Sequence, residues 1–156
     1  MYNQSIQQFS QTARQYCAWI ESEKNKDQIF PLQQLLSKLH SESLELPALQ
    51  ENVELGEIDL SLKIAREKII LNFRCFPFQY YATIFDTTEL NNPQASTGDI
   101  IDDLIDIYED VKIGLNLYEN GNEAEAIFHW RFSFGIHWGR HILSAMYALY
   151  CFERTS

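Results

Sequence analysis

The residues best equipped for chemistry lie in one short stretch, His129-Trp-Arg-Phe-Ser-Phe-Gly-Ile-His-Trp-Gly-Arg-His141, and in an acidic run upstream of it. Wound as a helix at about 100° per residue, the stretch and its continuation place His129, Ser133, His137, Arg140, His141 and Ser144 on one side. His137 and His141 are four residues apart, a spacing at which two imidazoles can hold one metal ion. No acidic general base stands between them, so the metalloprotease helix motif is absent, and a third ligand must come from another helix. Arg140 carries a planar fork of donors that suits a carboxylate or a phosphate. The structural alternative is a network that fixes helix register, because polar groups are costly in an apolar helix unless they are paired.

The acidic run offers Asp99, Asp103, Asp106 and Asp110 within roughly 60° of one helix face. Grouped carboxylates are what Mg²⁺ or Mn²⁺ needs, and Asp103, Asp106 and Asp110 are the ligands such an ion would use. The centre of the stripe lies nearly opposite Leu104, Tyr108 and Leu115. That placement predicts a solvated face, open to a basic partner protein. Asp99, Asp102 and Asp103 also suit the positive end of the helix dipole.

These groups are positioned by helices. Ile6, Phe9, Ala13, Tyr16, Cys17 and Ile20 recur at helical spacing over residues 4–24, and Asn25 to Gln28 make a polar break. Pro31 can open a second helix that runs to Leu46, where Pro47 stops it. Residues 48–57 read as a connector. A third helix, capped by Asp59, carries Leu62, Ala65, Ile69 and Phe73. The ring-rich segment Phe76–Phe85 could be a short helix or an extended packing segment, and the pattern does not decide between them. Residues 86–98 are turn formers and predict an exposed loop. Helices follow from Asp99 to Tyr118 and from Glu123 to Phe152, with Asn120-Gly121 as the stop and Asn122 as the next cap. The short loop makes these two antiparallel neighbours. Trp130, Phe134 and Trp138 recur as core residues, and Gly135 and Gly139 predict a close approach of another helix. The fold expected is all-α: a single helical domain over residues 1–156, a compact bundle of about five to six helices with a long, largely buried C-terminal helix.

Composition narrows the partners. The net charge is −10, and no basic stripe exists to recruit phosphates, so neither nucleic acid nor an anionic membrane is expected. Cys17, Cys75 and Cys151 are far apart and lack zinc-site spacing, as reduced thiols of a cytoplasmic protein would. The chain begins without the basic and apolar regions of a signal peptide, and no apolar run is long enough for a membrane span.

Four stretches carry a resemblance: Asp102-Asp-Leu-Ile-Asp-Ile-Tyr-Glu-Asp110, Gly114-Leu-Asn-Leu-Tyr-Glu-Asn-Gly121, Trp130-Arg-Phe-Ser-Phe134 and His137-Trp-Gly-Arg-His141. Together they resemble a bacterial family, the domain-of-unknown-function family 5063, over residues 78–150. The resemblance implies a small all-helical protein and carries over no reaction, ligand or catalytic residue. The functional expectation is therefore a protein-binding or regulatory module, immunity-like in its acidic surface, without a cofactor. The alternative is a metal-dependent hydrolase of a phosphorylated small molecule or nucleotide, with a divalent cation at Asp103, Asp106 and Asp110 and the phosphate held by Arg140 with His137 or His141. It requires the acidic stripe to lie within about 8 Å of the polar seam. The pattern assigns no catalytic residue and no oligomeric state.

Overall fold

The computed structural model describes residues 2–48 and 61–156, with side chains described from residue 4 and, after the break, from residue 65. Helix α1 spans Tyr2–Glu21, α2 Ile29–Leu44 and α3 Ser61–Ile70, the last continuing as a 3₁₀ turn over Leu71–Phe73. Strands β1 (Tyr80–Ile84) and β2 (Ala95–Asp99) follow, then α4 (Ile100–Glu119) and α5 (Glu123–Ser133). A π-helical turn over Phe134–Trp138 joins α5 to α6 (Gly139–Thr155), so the last three elements run as one long helix with a widened turn inside it. The fold is a helical bundle with one small hairpin. No helix among the described residues is long and apolar enough to cross a membrane.

Helix α4 is the central element. Ile100, Leu104, Ile105, Ile107, Tyr108, Val111 and Leu115 are all buried, a stripe too wide to be covered by one neighbour. Helix α1 covers it from one side, with Tyr16 Oη donating to the Leu104 carbonyl over 2.7 Å, and α5 and α6 cover it from the other. Trp130 of α5 packs against α4 and donates Nε1–H to the Val111 carbonyl over 3.0 Å. Gly114 makes that possible, because a Cβ there would stand 2.1 Å from the indole nitrogen. Trp130 and Trp138 are fully buried beside Phe9, as their spacing predicts. The outer side of the long C-terminal helix leaves Phe132, Ile136, Leu143, Tyr147 and Tyr150 exposed.

Several boundaries moved for local reasons. Helix α2 opens at Ile29, which leaves Pro31 in the first turn, where a missing N–H still costs nothing. The polar break after α1 holds Asn25 at φ 60°, and Lys26 folds back under Trp19 to donate to the Trp19 carbonyl over 2.5 Å and to the Ser22 carbonyl. Helix α4 stops at Gly121 (φ 85°), as expected, with Asn122 N–H closing on the Leu117 carbonyl over 2.9 Å. Asn122 precedes α5 but makes no side-chain cap. The cap expected at Asp59, and all but the first residue of the connector expected at 48–57, lie outside the described residues.

The ring-rich segment is extended. Strand β1 pairs antiparallel with β2, Tyr80 opposite Asp99 and Ile84 opposite Ala95, so the last part of the loop expected at 86–98 is strand. Ile100 N–H bonds the Gln79 carbonyl over 2.9 Å, which ties the hairpin to the start of α4.

Candidate functional site

Helix α4 starts where it does because Asp99 caps it. The Asp99 carboxylate accepts from the backbone of Ile101 (3.0 Å) and Asp102 (3.1 Å) and from Gln79 Nε2 (2.9 Å). Asp99 is thereby separated from the rest of the expected stripe. Asp103, Asp106 and Asp110 do not form a solvated face. Asp103 is buried, Asp106 and Asp110 are half-buried, and all three face the histidines of the α5–α6 helix. The wheel separates polar from apolar directions on α4 but does not say what covers the polar side. Here a second polar stripe covers it, well inside the separation of about 8 Å that water-spaced coordination allows.

The two stripes interlock as a ladder. Asp103 Oδ1 lies 2.6 Å from His141 Nδ1, and Asp110 Oδ2 lies 2.6 Å from His137 Nδ1. With Nδ1 of each ring committed to its own carboxylate, Nε2 is the nitrogen left to act elsewhere. Both Nε2 atoms approach one oxygen: His141 Nε2 lies 3.5 Å, and His137 Nε2 4.0 Å, from Asp106 Oδ2. The other Asp106 oxygen accepts from Arg66 Nη1 over 2.9 Å. Asp106, His137 and His141 thus offer three ligand atoms within 4.8 Å of one another. An ion held at about 2.0–2.2 Å from nitrogen and oxygen ligands spaces them roughly 3–4 Å apart, and two of these separations fall in that range. His137 is 45 % exposed while Asp106 and His141 are far less so, which leaves the group open to solvent on the His137 side.

His129 lies at the far end of the ladder; its Nε2 is 4.0 Å from Asp110 Oδ1 and is the ring nitrogen without a hydrogen-bond partner among the described residues. Burial holds its pKa below the usual imidazole value, against the pull of Asp110. The pKa of His141 is raised, chiefly by its hydrogen bond to Asp103 and against the effect of burial.

The π turn aligns these residues. In an unbroken α-helix, His129 and His137 would drift apart around the axis; a wider turn advances less per residue and brings His137 back beneath His129. Asp110 can then reach both rings. Ser133 belongs to this turn and not to the ladder: its Oγ donates to the His129 carbonyl over 2.6 Å and accepts from Trp138 Nε1 over 3.1 Å. Gly139 is buried where the wide bond closes on the Phe134 carbonyl, and a Cβ there would stand 2.4 Å from that oxygen. Gly135 has open space around its Cβ position. Among the described residues no other helix approaches these two glycines as expected; one serves the turn and the other is exposed.

Sequence reasoning missed two residues. Arg66, on α3, pairs with Asp102, with Asp106 and with Glu109 (3.2 Å to the last), and so neutralises the edge of the acidic face. Tyr81, on β1, donates its hydroxyl to Asp103 Oδ2 and receives a bond from Ser144; burial and Asp103 push its pKa well above the ordinary phenol value, so it remains a donor. Gly98, opposite Tyr81 in the hairpin, leaves the space that its ring occupies. Neither residue carries a spacing signal, because each reaches the site from an element whose docking the pattern does not reveal. Arg140 is exposed and stacks on Phe85, with its guanidinium carbon 4.4 Å from the ring centroid.

Comparison with known proteins bears on the fold. The model of the family described as Domain of unknown function (DUF5063) matches residues 1–153, a longer span than the 78–150 stretch, and the chain belongs to that family. A solved structure, protein BF1032 from Bacteroides fragilis, superimposes with a TM-score of 0.73 at 21 % identity, covering 94 % of this chain and 90 % of that one. That likeness establishes the fold. No curated protein matches the chain.

Proposed function

We propose that this member of the DUF5063 family is a metal-dependent protein whose centre is Asp106, His137 and His141, with a first-row divalent transition ion as its cofactor. The observation that carries the reading is the orientation of the two imidazoles: each Nδ1 is tied to its own aspartate, and both Nε2 atoms converge on the free oxygen of a third. Metal-binding histidines are held in this way, with a carboxylate fixing the tautomer and raising the basicity of the ligating nitrogen. A register-fixing network has no need to aim two Nε2 atoms and one carboxylate oxygen at a common point.

The ligand set also selects the ion. Imidazole suits zinc, copper, iron or nickel better than the magnesium or calcium that an all-carboxylate site takes. Asp103 and Asp110 support the ligands and are not ligands themselves. Three protein ligands leave open positions, and an ion there supplies Lewis acidity and a bound water acidified toward neutral pH, the chemistry of hydrolysis. The competing reading, an acidic face for a basic partner, loses its surface, since Asp103, Asp106 and Asp110 are turned to the histidines and to Arg66.

The test is a thermal melt of the EDTA-stripped protein with Zn²⁺, Mn²⁺, Co²⁺, Mg²⁺ and Ca²⁺. An ion at 100 times its dissociation constant adds about 2.7 kcal/mol, a midpoint rise of roughly 5–10 °C at this size. The rise is expected with the transition ions, should exceed that with Mg²⁺ or Ca²⁺, and should vanish in His137→Ala and His141→Ala. A flat scan for wild-type protein, or an equal response in both variants, overturns the reading.

A further inference from the structure

We infer that Arg140 is the anion-binding arm of this centre, and that the ligand it takes is an oxyanion, a carboxylate or phosphate group held between the metal and the guanidinium. The inference rests on the metal reading above and adds to it the class of ligand. It starts from an inventory of cations. Arg66 is saturated by Asp102, Asp106 and Glu109, and Arg131 donates to the Leu46 carbonyl. Arg140 stands next to His141 and one helical turn from His137, yet among the described residues it makes no ion pair with a carboxylate. Arg74, Arg131 and Arg154 also make no ion pair among the described residues, so what distinguishes Arg140 is its position beside His141.

Phe85 explains how the arm is held. The guanidinium carbon lies over the ring, 4.4 Å from its centroid, a cation–π contact that uses none of the N–H donors. Phe85 directly follows β1, whose Tyr81 and Thr83 are the inward-facing, half-buried positions, and Tyr81 is anchored on Asp103. The hairpin therefore positions the arm relative to the ladder without consuming its hydrogen-bonding capacity. A planar guanidinium fork matches a carboxylate or phosphate in two-point fashion.

The experiment uses Co²⁺-loaded protein and follows its visible absorption as inorganic phosphate or acetate is added in separate titrations. A saturable spectral change is expected with at least one anion, and the tighter of the two names the class. Arg140→Gln should bind Co²⁺ as wild type does but weaken the anion at least 10-fold. Phe85→Ala, which frees the arm, should weaken it several-fold, and circular dichroism would verify that both variants are folded. If Co²⁺ does not bind, the metal centre itself fails. If Co²⁺ binds and neither anion perturbs the spectrum, or Arg140→Gln binds the anion as well as wild type, the metal reading stands and the anion arm is wrong.

Discussion

A histidine can meet an aspartate for two reasons, and which of its nitrogens is used separates them. In a structural pair the bond is the end of the matter; at a metal centre it prepares the opposite nitrogen. Asp103 and Asp110 both take Nδ1, so their removal should loosen the ligands without abolishing binding. Asp103→Asn and Asp110→Asn are each expected to weaken Co²⁺ by 10–100-fold, while His137→Ala removes measurable binding. Competition against a chromophoric chelator measures both, and equal losses in all three variants would contradict the assigned roles. The spacing of His137 and His141 was legible before the fold, but their partners were not, since nothing in a helical wheel says which stripe meets which. Away from the site, Lys26 is almost fully buried against the Trp19 and Phe73 rings, 4.1 and 5.1 Å from their centroids, and burial pushes its pKa down to about 8. The unfolded chain holds that proton up to about pH 10.4. Between these values the unfolded state binds more protons, so stability rises with pH, and it is lost again as pH falls through 8. Denaturant titrations of wild type and Lys26→Met from pH 7 to 10 should show wild type gaining on the variant; a constant difference would remove the argument.

At the scale of elements, the π turn and the hairpin place the site, and each was half visible. The sequence shows two glycines four apart and supports a close approach; it does not show that the approach is of the helix to its own carbonyl. Gly139 closes the wide bond onto Phe134, and Gly135 touches nothing. Gly139→Ala should therefore cost about 1–3 kcal/mol through overpacking and weaken metal binding as His137 shifts. Gly135→Ala should be neutral or add up to about 1 kcal/mol, because alanine is the better helix former. Chemical denaturation distinguishes the two, and a similar loss at both positions would mean that the widened turn is not what Gly139 serves. The hairpin was harder to read. Its rings fit helix and strand alike, and β2, Ala-Ser-Thr-Gly-Asp, has the composition of a loop; it becomes strand because β1 offers it a ladder and Asp99 hands it on to a helix.

At the scale of the molecule, the sequence made α4 and the C-terminal helix antiparallel neighbours, and that much of the architecture was legible from Asn120-Gly121 and two apolar stripes. The error lay in treating α4 as a surface helix, with its acids at the solvent. A central helix has neighbours on every side, so its polar stripe must meet something, and the net charge of −10 then takes on a different meaning. An acidic surface need not recruit a basic protein; it also concentrates small cations around an acidic centre. This makes a prediction about affinity that no local contact determines. Raising salt from about 10 mM to about 1 M shortens the Debye length from about 30 Å to about 3 Å and removes the contribution of distant acids, while contacts at bonding distance are little screened. Calorimetric titration of Co²⁺ should show affinity falling several-fold across that range with the stoichiometry unchanged. If affinity is instead flat in salt, the distant charge does not help to gather the ion, and the acidic balance of the chain needs a separate cause.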